Sequence, residues 1–381
     1  MRHLTNVIAF AVAVACSASA CAADEIVKIG SASAVSGPSA HAGKDTENGA
    51  RMAVEDLNAK GFAIDGKKIR WVLMAEDDGG DPKQGTAVAQ KLVDAKVAGV
   101  VGHLQSGTSV PASKIYHSAG IPQITPAATT PLYTHQGFKS AFRVVANDNK
   151  VGSALGRYAV ENLKAKRIAV IDDRTAFGQG LADEFVKAVK AASGSAAIVS
   201  RQFTNDKATD FNAILTQVKS KNADLIFYGG MDAVAGPMLK QMKALGLNVR
   251  FVAGDGVCSE KLPQLAGDGL ADDKLTCAVA GGVSGAQEKQ FTDFVDRYKK
   301  KFNLEVQTYA PYAYDAVMVL ATAMQNAKSS DPAKYTPEIA KIKYQGVTGT
   351  IMFDPYGDLS NAALTLYTYR NGKKTKLEVV R

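Results

Sequence analysis

The sequence is poor in cysteine, histidine and tryptophan, with four, five and one among 381 residues. His103, His117 and His135 fall in different segments, and no G-x-S-x-G, H-E-x-x-H, C-x-x-C or Walker A pattern occurs. The usual sequence signs of nucleophilic, zinc and phosphate chemistry are therefore absent, and neither an enzymatic activity nor a cofactor or metal is expected. Beyond the first residues no hydrophobic run approaches the roughly 20 residues of a membrane span. There is no internal repeat and no low-complexity linker. Lys and Arg exceed Asp and Glu by 45 to 37, a net charge of +8, but they are scattered apart from Lys299 to Lys301 and the tail NGKKTK. A nucleic-acid binder clusters its basic residues on one face, so this charge reads as a solvated surface.

What is present begins with MRHLTNVIAFAVAVACSASACAADE. Arg2 precedes an apolar stretch from Val7 to Ala15, and small residues follow up to Ala23. This predicts a secretory signal peptide over residues 1–22 and a mature chain working in the periplasm. Ala20-Cys21-Ala22 suits cleavage before Ala23. Cys21 after Ala18-Ser19-Ala20 also resembles a lipoprotein box, although Ala18 stands where a large aliphatic residue is usual. With Cys16 and Cys21 removed, only Cys258 and Cys277 remain. In an oxidising compartment two such cysteines favour a disulfide over a metal site, with two buried thiols as the alternative.

The mature chain is too long for one ordinary core and suits two domains. Apolar runs alternate with helical periods: strand IVKIGSASAV, helix GKDTENGARMAVEDLNAKG, strand KIRWVLMAEDD, helix DPKQGTAVAQKLVDAK, strand VAGVVGH. Asp81 is placed to cap the second of these helices, with Pro82 in its first turn. The helix PASKIYHSAG is expected to open at Pro111. After AFRVVANDN the alternation starts afresh and runs to VRFVAGDG, and the chain ends in a hairpin turned at Asn371-Gly372. Strand, helix, strand repeated in this way means crossover units and parallel sheets, here two doubly wound α/β lobes.

Two loops stand out. VVGHLQSGTS runs from an apolar strand into Leu104, Gln105, Ser106 and further hydroxyls, and IPQITPAATTP repeats the arrangement with Ala127, Ala128 and Thr129. Ligands of open parallel sheets sit beyond the carboxyl ends of strands, where such loops converge. Taken alone, Ser106 and Thr129 could equally be helix caps.

The ordered set SGPSA, NGARMAVEDLNAKG, DDGGDPKQ, VGHLQSGTSVPASKIY, GIPQITPAATTP, FGQGLADEF, YGG and AGDGLADD resembles the leucine/isoleucine/valine-binding protein family over nearly the whole mature chain. The resemblance implies the type I periplasmic binding protein fold, with lobes of residues 23–147 with 281–360 and 148–280 with 361–381. They would be joined by crossings near Asn147, Gly281 and Ser360. It implies a monomer that captures a free amino acid, branched-chain by family habit, and hands it to the membrane permease of an ABC transporter. A protein presenting its ligand to a chemoreceptor, or one taking a different small amino acid, is the alternative.

Carried over by motif position, Ser106 and Thr129 would donate to the ligand carboxylate and the Ala127 carbonyl would accept from its ammonium. Asp255 in VAGDGV would face that ammonium, Tyr309 would cover the ligand, and Phe177 in RTAFGQG would form a wall. Without the family, Asp255 would read as a surface charge or cap, and the two aromatics as packing. Three departures bear on specificity. Met231 follows YGG where the family commonly has Tyr, and Ala42 stands where leucine-type members carry Trp. Gly80 and Gln105 stand where some members have a disulfide.

Overall fold

The computed structural model describes residues 25–192, 197–281, 283 and 286–380. The expected signal peptide, with Cys16 and Cys21, lies outside the described residues. The first sheet is built from β1 (Glu25–Ser33), β2 (Ala63–Ile64), β3 (Lys67–Asp77), β4 (Gly99–Gly102), β5 (Gln123–Thr125) and β6 (Ala141–Arg143). Between them run α1 (Ala40–Ala59), α2 (Pro82–Asp94) and α3 (Ser106–Ser118). The strand order is β2-β3-β1-β4-β5-β6, parallel except for the short β2 against β3. Val27, Ile29, Val100, Val101 and Ile124 are all buried, as a sheet covered by helices on both faces requires.

The second sheet follows the same logic through α4 (Asp148–Glu161), β7 (Arg167–Asp172), α5 (Ala176–Ala192), β8 (Ala197–Phe203) and α6 (Asn212–Ser220). It continues with β9 (Leu225–Gly229), α7 (Asp232–Ala244), β10 (Arg250–Ala253), α8 (Leu262–Ala266) and β11 (Leu275–Ala280). The chain then returns to the first sheet. There α9 (Ala286–Phe302) and α10 (Ala310–Asn326) pack on α1, and α11 (Pro332–Ala340) packs on α10. A small hairpin, β12 (Tyr344–Gly346) with β13 (Gly349–Ile351), precedes the final pair β14 (Leu364–Arg370) and β15 (Lys373–Val380). That pair completes a seven-stranded sheet of order β15-β14-β11-β10-β9-β7-β8. Its turn is Asn371-Gly372, with φ of 51° and 69°, the positive values a two-residue hairpin loop needs.

Two doubly wound lobes are thus present, and most elements follow the sequence reading. Asp81 caps α2, its Oδ1 accepting from the Gln84 N–H at 2.9 Å. One boundary is different. Helix α3 opens at Ser106, not at Pro111, so the proline lies inside the helix, where it gives up the bond to the Gly107 carbonyl. The hydroxyl-rich stretch after β4 is therefore the first turn of a helix. β2, β12 and α11 are too short or too polar to have been foreseen, although Asp331 caps α11 through the Ala333 N–H at 3.0 Å.

Cys258 and Cys277 are bonded, with Cα atoms 5.6 Å apart. The bond ties the turn after β10 to β11, which is paired with β10 at Ala253↔Cys277. Thiol titration of the unfolded, unreduced mature chain should find no free cysteine. Reduction should lower unfolding stability by about 3 kcal/mol, since a loop of this length is released.

Candidate functional site

The carboxyl ends of both sheets open on one cleft of about 630 Å³. Nine of the ten expected ligand residues line it: Leu104, Gln105, Ser106, Ala127, Ala128, Phe177, Met231, Asp255 and Tyr309. Thr129 is not on the wall; it is buried behind it, its Oγ1 without a partner among the described residues.

The first-lobe wall is a set of backbone groups held in place by side chains beneath them. In α3 the N–H groups of Thr108 and Ser109 reach the Gln105 carbonyl, whereas those of Ser106 and Gly107 have no partner among the described residues. Such groups at a helix start favour an anion. Ser106 caps no helix; its Oγ accepts from the Thr130 N–H at 3.2 Å and so fastens the α3 turn to the loop after β5. In that loop Thr125 Oγ1 accepts from Ala127 and Ala128 N–H at 3.3 and 2.9 Å. The Arg143 guanidinium takes the Ala128 and Thr130 carbonyls at 2.9 and 2.8 Å. The Ala127 carbonyl and the Thr129 N–H are left unused among the described residues.

Arg143 is wholly buried, and its remaining donors reach Asp358 Oδ1 from Nε at 3.0 Å and from Nη2 at 2.5 Å, and Thr134 Oγ1 at 3.0 Å. Asn147, the cap of α4, donates to the other Asp358 oxygen at 2.8 Å. Burial alone would raise the Asp358 carboxyl, but Arg143 and the bonds from Thr134 and Asn147 hold it below the usual range. A second buried acid sets Tyr309. Asp45 on α1 accepts the N–H groups of Gln307, Thr308, Tyr309 and Ala310 at 2.7 to 3.1 Å, fixing the turn that starts α10.

On the second-lobe wall Asp255 is 5% exposed, so it is no surface charge. Its Oδ2 accepts from the Tyr309 hydroxyl at 2.8 Å, and its Oδ1 has no partner among the described residues. Burial raises its carboxyl to about 6, against the lowering effect of Tyr309. Burial and the neighbouring Asp255 push the Tyr309 phenol well above its usual range. Gly256 must be glycine: a Cβ there would stand 2.7 Å from Met231 Sδ and 2.9 Å from Phe177 Cε1. Met231 and Phe177 thereby close against the turn that carries Asp255. Opposite them Ala42, Leu104, Ala127 and Tyr309 form a small buried apolar cluster with Ala34. Gly80 and Gln105 face each other, a Cβ on Gly80 lying 3.1 Å from Gln105 Nε2.

The wall therefore offers unpaired N–H donors on one lobe, an unpaired buried carboxylate oxygen on the other, and apolar surface between. Sequence reasoning missed Arg143, Asp358 and Asp45, since each acts through partners far along the chain. It also missed two buried acids. Asp173 lines the cleft, with Oδ1 bonded to the Thr175 N–H and hydroxyl and Oδ2 unpaired among the described residues, and burial lifts it to about 6. Asp148 lies at the start of α4 and burial lifts it to about 7. Among the described residues no three His, Cys, Asp or Glu side chains are grouped to hold a metal ion, and no helix is long and apolar enough to cross a membrane.

Residues 26–374 match the periplasmic binding protein family. The Leu/Ile/Val-binding protein homolog 1 of Brucella abortus is 34% identical over 381 residues, covering 100% of this chain and 99% of the relative. A leucine-, isoleucine-, valine-, threonine- and alanine-binding protein of Pseudomonas aeruginosa is 34% identical over 369 residues, covering 97% and 96%. Among solved structures, the branched-chain amino acid transporter substrate-binding protein LivJ of Streptococcus pneumoniae, in complex with isoleucine, superposes with a TM-score of 0.83 at 29% identity. That match covers 93% of this chain and 99% of the other.

Removing Arg143 strands the Asp358 charge and two loop carbonyls in the interior. Arg143→Ala should cost about 3 to 5 kcal/mol of unfolding free energy in denaturant titration, well above the effect of a surface substitution.

Proposed function

Because the chain belongs to the periplasmic binding protein family, we propose that it captures a free amino acid, leucine, isoleucine or valine, between its lobes and delivers it to the membrane permease of an ABC transporter. The observation that carries this reading is the complementarity of the cleft to a zwitterion with an aliphatic side chain. A charge taken out of water needs full compensation. The Ser106 and Gly107 N–H groups supply donors for a carboxylate. Asp255 Oδ1 and the Ala127 carbonyl supply acceptors for an ammonium, and the ionised acid supplies its counter-charge. Leu104, Met231, Phe177 and Tyr309 are apolar surface for the side chain, with Ala42 packed behind them in the buried cluster. Relatives named for branched-chain amino acids, and a structural relative holding isoleucine, support the same ligand class.

The residue roles follow from that reading: Ser106 on the carboxylate with Thr129 behind it, Ala127 and Asp255 on the ammonium, Tyr309 and Phe177 over the ligand. Met231 presents a flexible thioether where family members commonly have a phenol, so it contacts the ligand by packing alone. The cleft is complete within one chain, in keeping with a monomer. The lobes, residues 23–147 with 281–360 and 148–280 with 361–381, hinge at the crossings near Asn147, Gly281 and Ser360. The chain reaches the periplasm through the signal peptide of residues 1–22.

Calorimetric titration of unfolded and refolded protein, freed of bound ligand, tests the reading. L-leucine, L-isoleucine or L-valine should bind, and failure of all three overturns the ligand class. Asp255→Ala should weaken binding by roughly 30-fold to several thousand-fold, as loss of one partner of a buried charge pair costs about 2 to 5 kcal/mol. Ser106→Ala should do less, because backbone donors remain.

The pH dependence has a definite sign. The ligand ammonium binds ionised Asp255, whose carboxyl titrates at about 6 in the free protein. Protons therefore compete below that pH, and affinity should be level above it and fall by up to about tenfold per unit below it. Because burial raises this group, its ionised form costs folding stability above pH 6. Asp255→Asn should accordingly raise the melting temperature of ligand-free protein at pH 8 while weakening binding, and a loss of both would refute the assignment.

A further inference from the structure

Among the described residues two hydrogen bonds between side chains run from one lobe to the other: Tyr309 to Asp255, described above, and His41 to Asp232. His41 is the second residue of α1 in the first lobe, and Asp232 is the first residue of α7 in the second. Their side chains meet at 2.8 Å, His41 Nε2 to Asp232 Oδ2. We propose that this pair is a latch that sets how firmly the lobes stay closed on the ligand, without touching the ligand itself. The proposal rests on the reading of the cleft as a site that closes around an amino acid.

Neither residue lines the cleft; Asp232 adjoins Met231, which does, and His41 adjoins Ala42, which packs behind the lining residues Leu104, Ala127 and Tyr309. The contact therefore ties the two walls together beside the apolar cluster. Asp232 is 1% exposed at its side chain, and from its own lobe only the Ser259 hydroxyl reaches its Oδ2. Its Oδ1 has no partner among the described residues. A carboxylate so poorly satisfied is costly to bury, and the donor that relieves the cost comes from the other lobe. The two helices also meet by their N-terminal ends, both of which carry partial positive charge. An anion between them turns a repulsion across the mouth into an attraction. When the lobes part, water solvates Asp232 and His41 separately, so the pair contributes in the closed state alone.

The test measures lobe separation and L-leucine binding together. Fluorophores on Lys83→Cys and Thr209→Cys, exposed positions on opposite lobes, report closure by energy transfer. His41→Ala should shift the ligand-free population toward the open form. It should also weaken leucine binding by about 3- to 10-fold, with the change in the dissociation rate, as expected for a partly buried pair. His41→Gln, which keeps a donor, should recover most of this. Combining His41→Ala with Asp232→Asn should weaken binding by less than the product of the single effects. A structural role for Asp232 alone would lower the melting temperature of Asp232→Asn and show no such coupling. Unchanged energy transfer and dissociation rate in His41→Ala, or effects that simply multiply, would overturn the latch. If wild type fails to bind leucine, the ligand reading falls, and the energy transfer of ligand-free wild type against His41→Ala still decides the latch.

Discussion

Arg143 is a guanidinium with no access to water, and the geometry of the first-lobe wall depends on how its charge is accommodated. Its five hydrogen bonds end on two loop carbonyls, one hydroxyl and one carboxylate. Because a buried donor left unpaired is costly, the loop after β5 cannot relax without exposing that cost. The Ala128 and Thr130 carbonyls are turned inward to meet the guanidinium, which leaves the Ala127 carbonyl without a partner among the described residues at the cleft. The same charge is tied through Asp358 to Asn147, beside the passage from β6 to α4. One interaction thus connects the backbone groups of the cleft wall with the segment that runs from the first sheet to α4.

The two walls differ in what they have already satisfied. On the first lobe the side chains beneath the wall are spent on backbone groups: Asp45 on four N–H groups, Thr125 on two, Arg143 on two carbonyls. What faces the cleft there is preorganised backbone, which loses little freedom when a ligand arrives. On the second lobe Asp255, Asp173 and Asp232 each keep one buried oxygen without a partner among the described residues. An acid held in that condition favours whatever brings it a proton or a cation, and this is the electrostatic basis for the proposed capture of an ammonium.

Much of the fold was legible because alternating strand and helix periods reflect burial, a property local enough to be written in consecutive residues. Asp81-Pro82 and Asn371-Gly372 mark their elements through their own backbone preferences. Pro111 misled because proline suits a helix start, where its missing N–H has no partner to lose, but here it lies inside a helix that begins at Ser106. The loops after β4 and β5 could be picked out as a pair, since hydroxyls and glycine following apolar strands have few structural uses. That both of them share one cleft with Asp255, Phe177 and Met231 from the other lobe was expected from their place at strand ends and from family resemblance, and the topology brings them together.

The sequence by itself determined the class of the protein: two wound α/β lobes, polar loops at strand ends, and a pair of cysteines placed to bond. Those properties follow from periodicity, turn chemistry and composition, which act over a few residues. Only the tertiary structure decided which groups on the wall are free. Whether Ala127 presents its carbonyl depends on Arg143. The setting of Tyr309 depends on Asp45, 264 positions away, and Asp232 finds its second donor on α1, 191 positions away. Hydrogen-bond satisfaction is a property of neighbours in space, and the chain carries no local mark of who those neighbours will be.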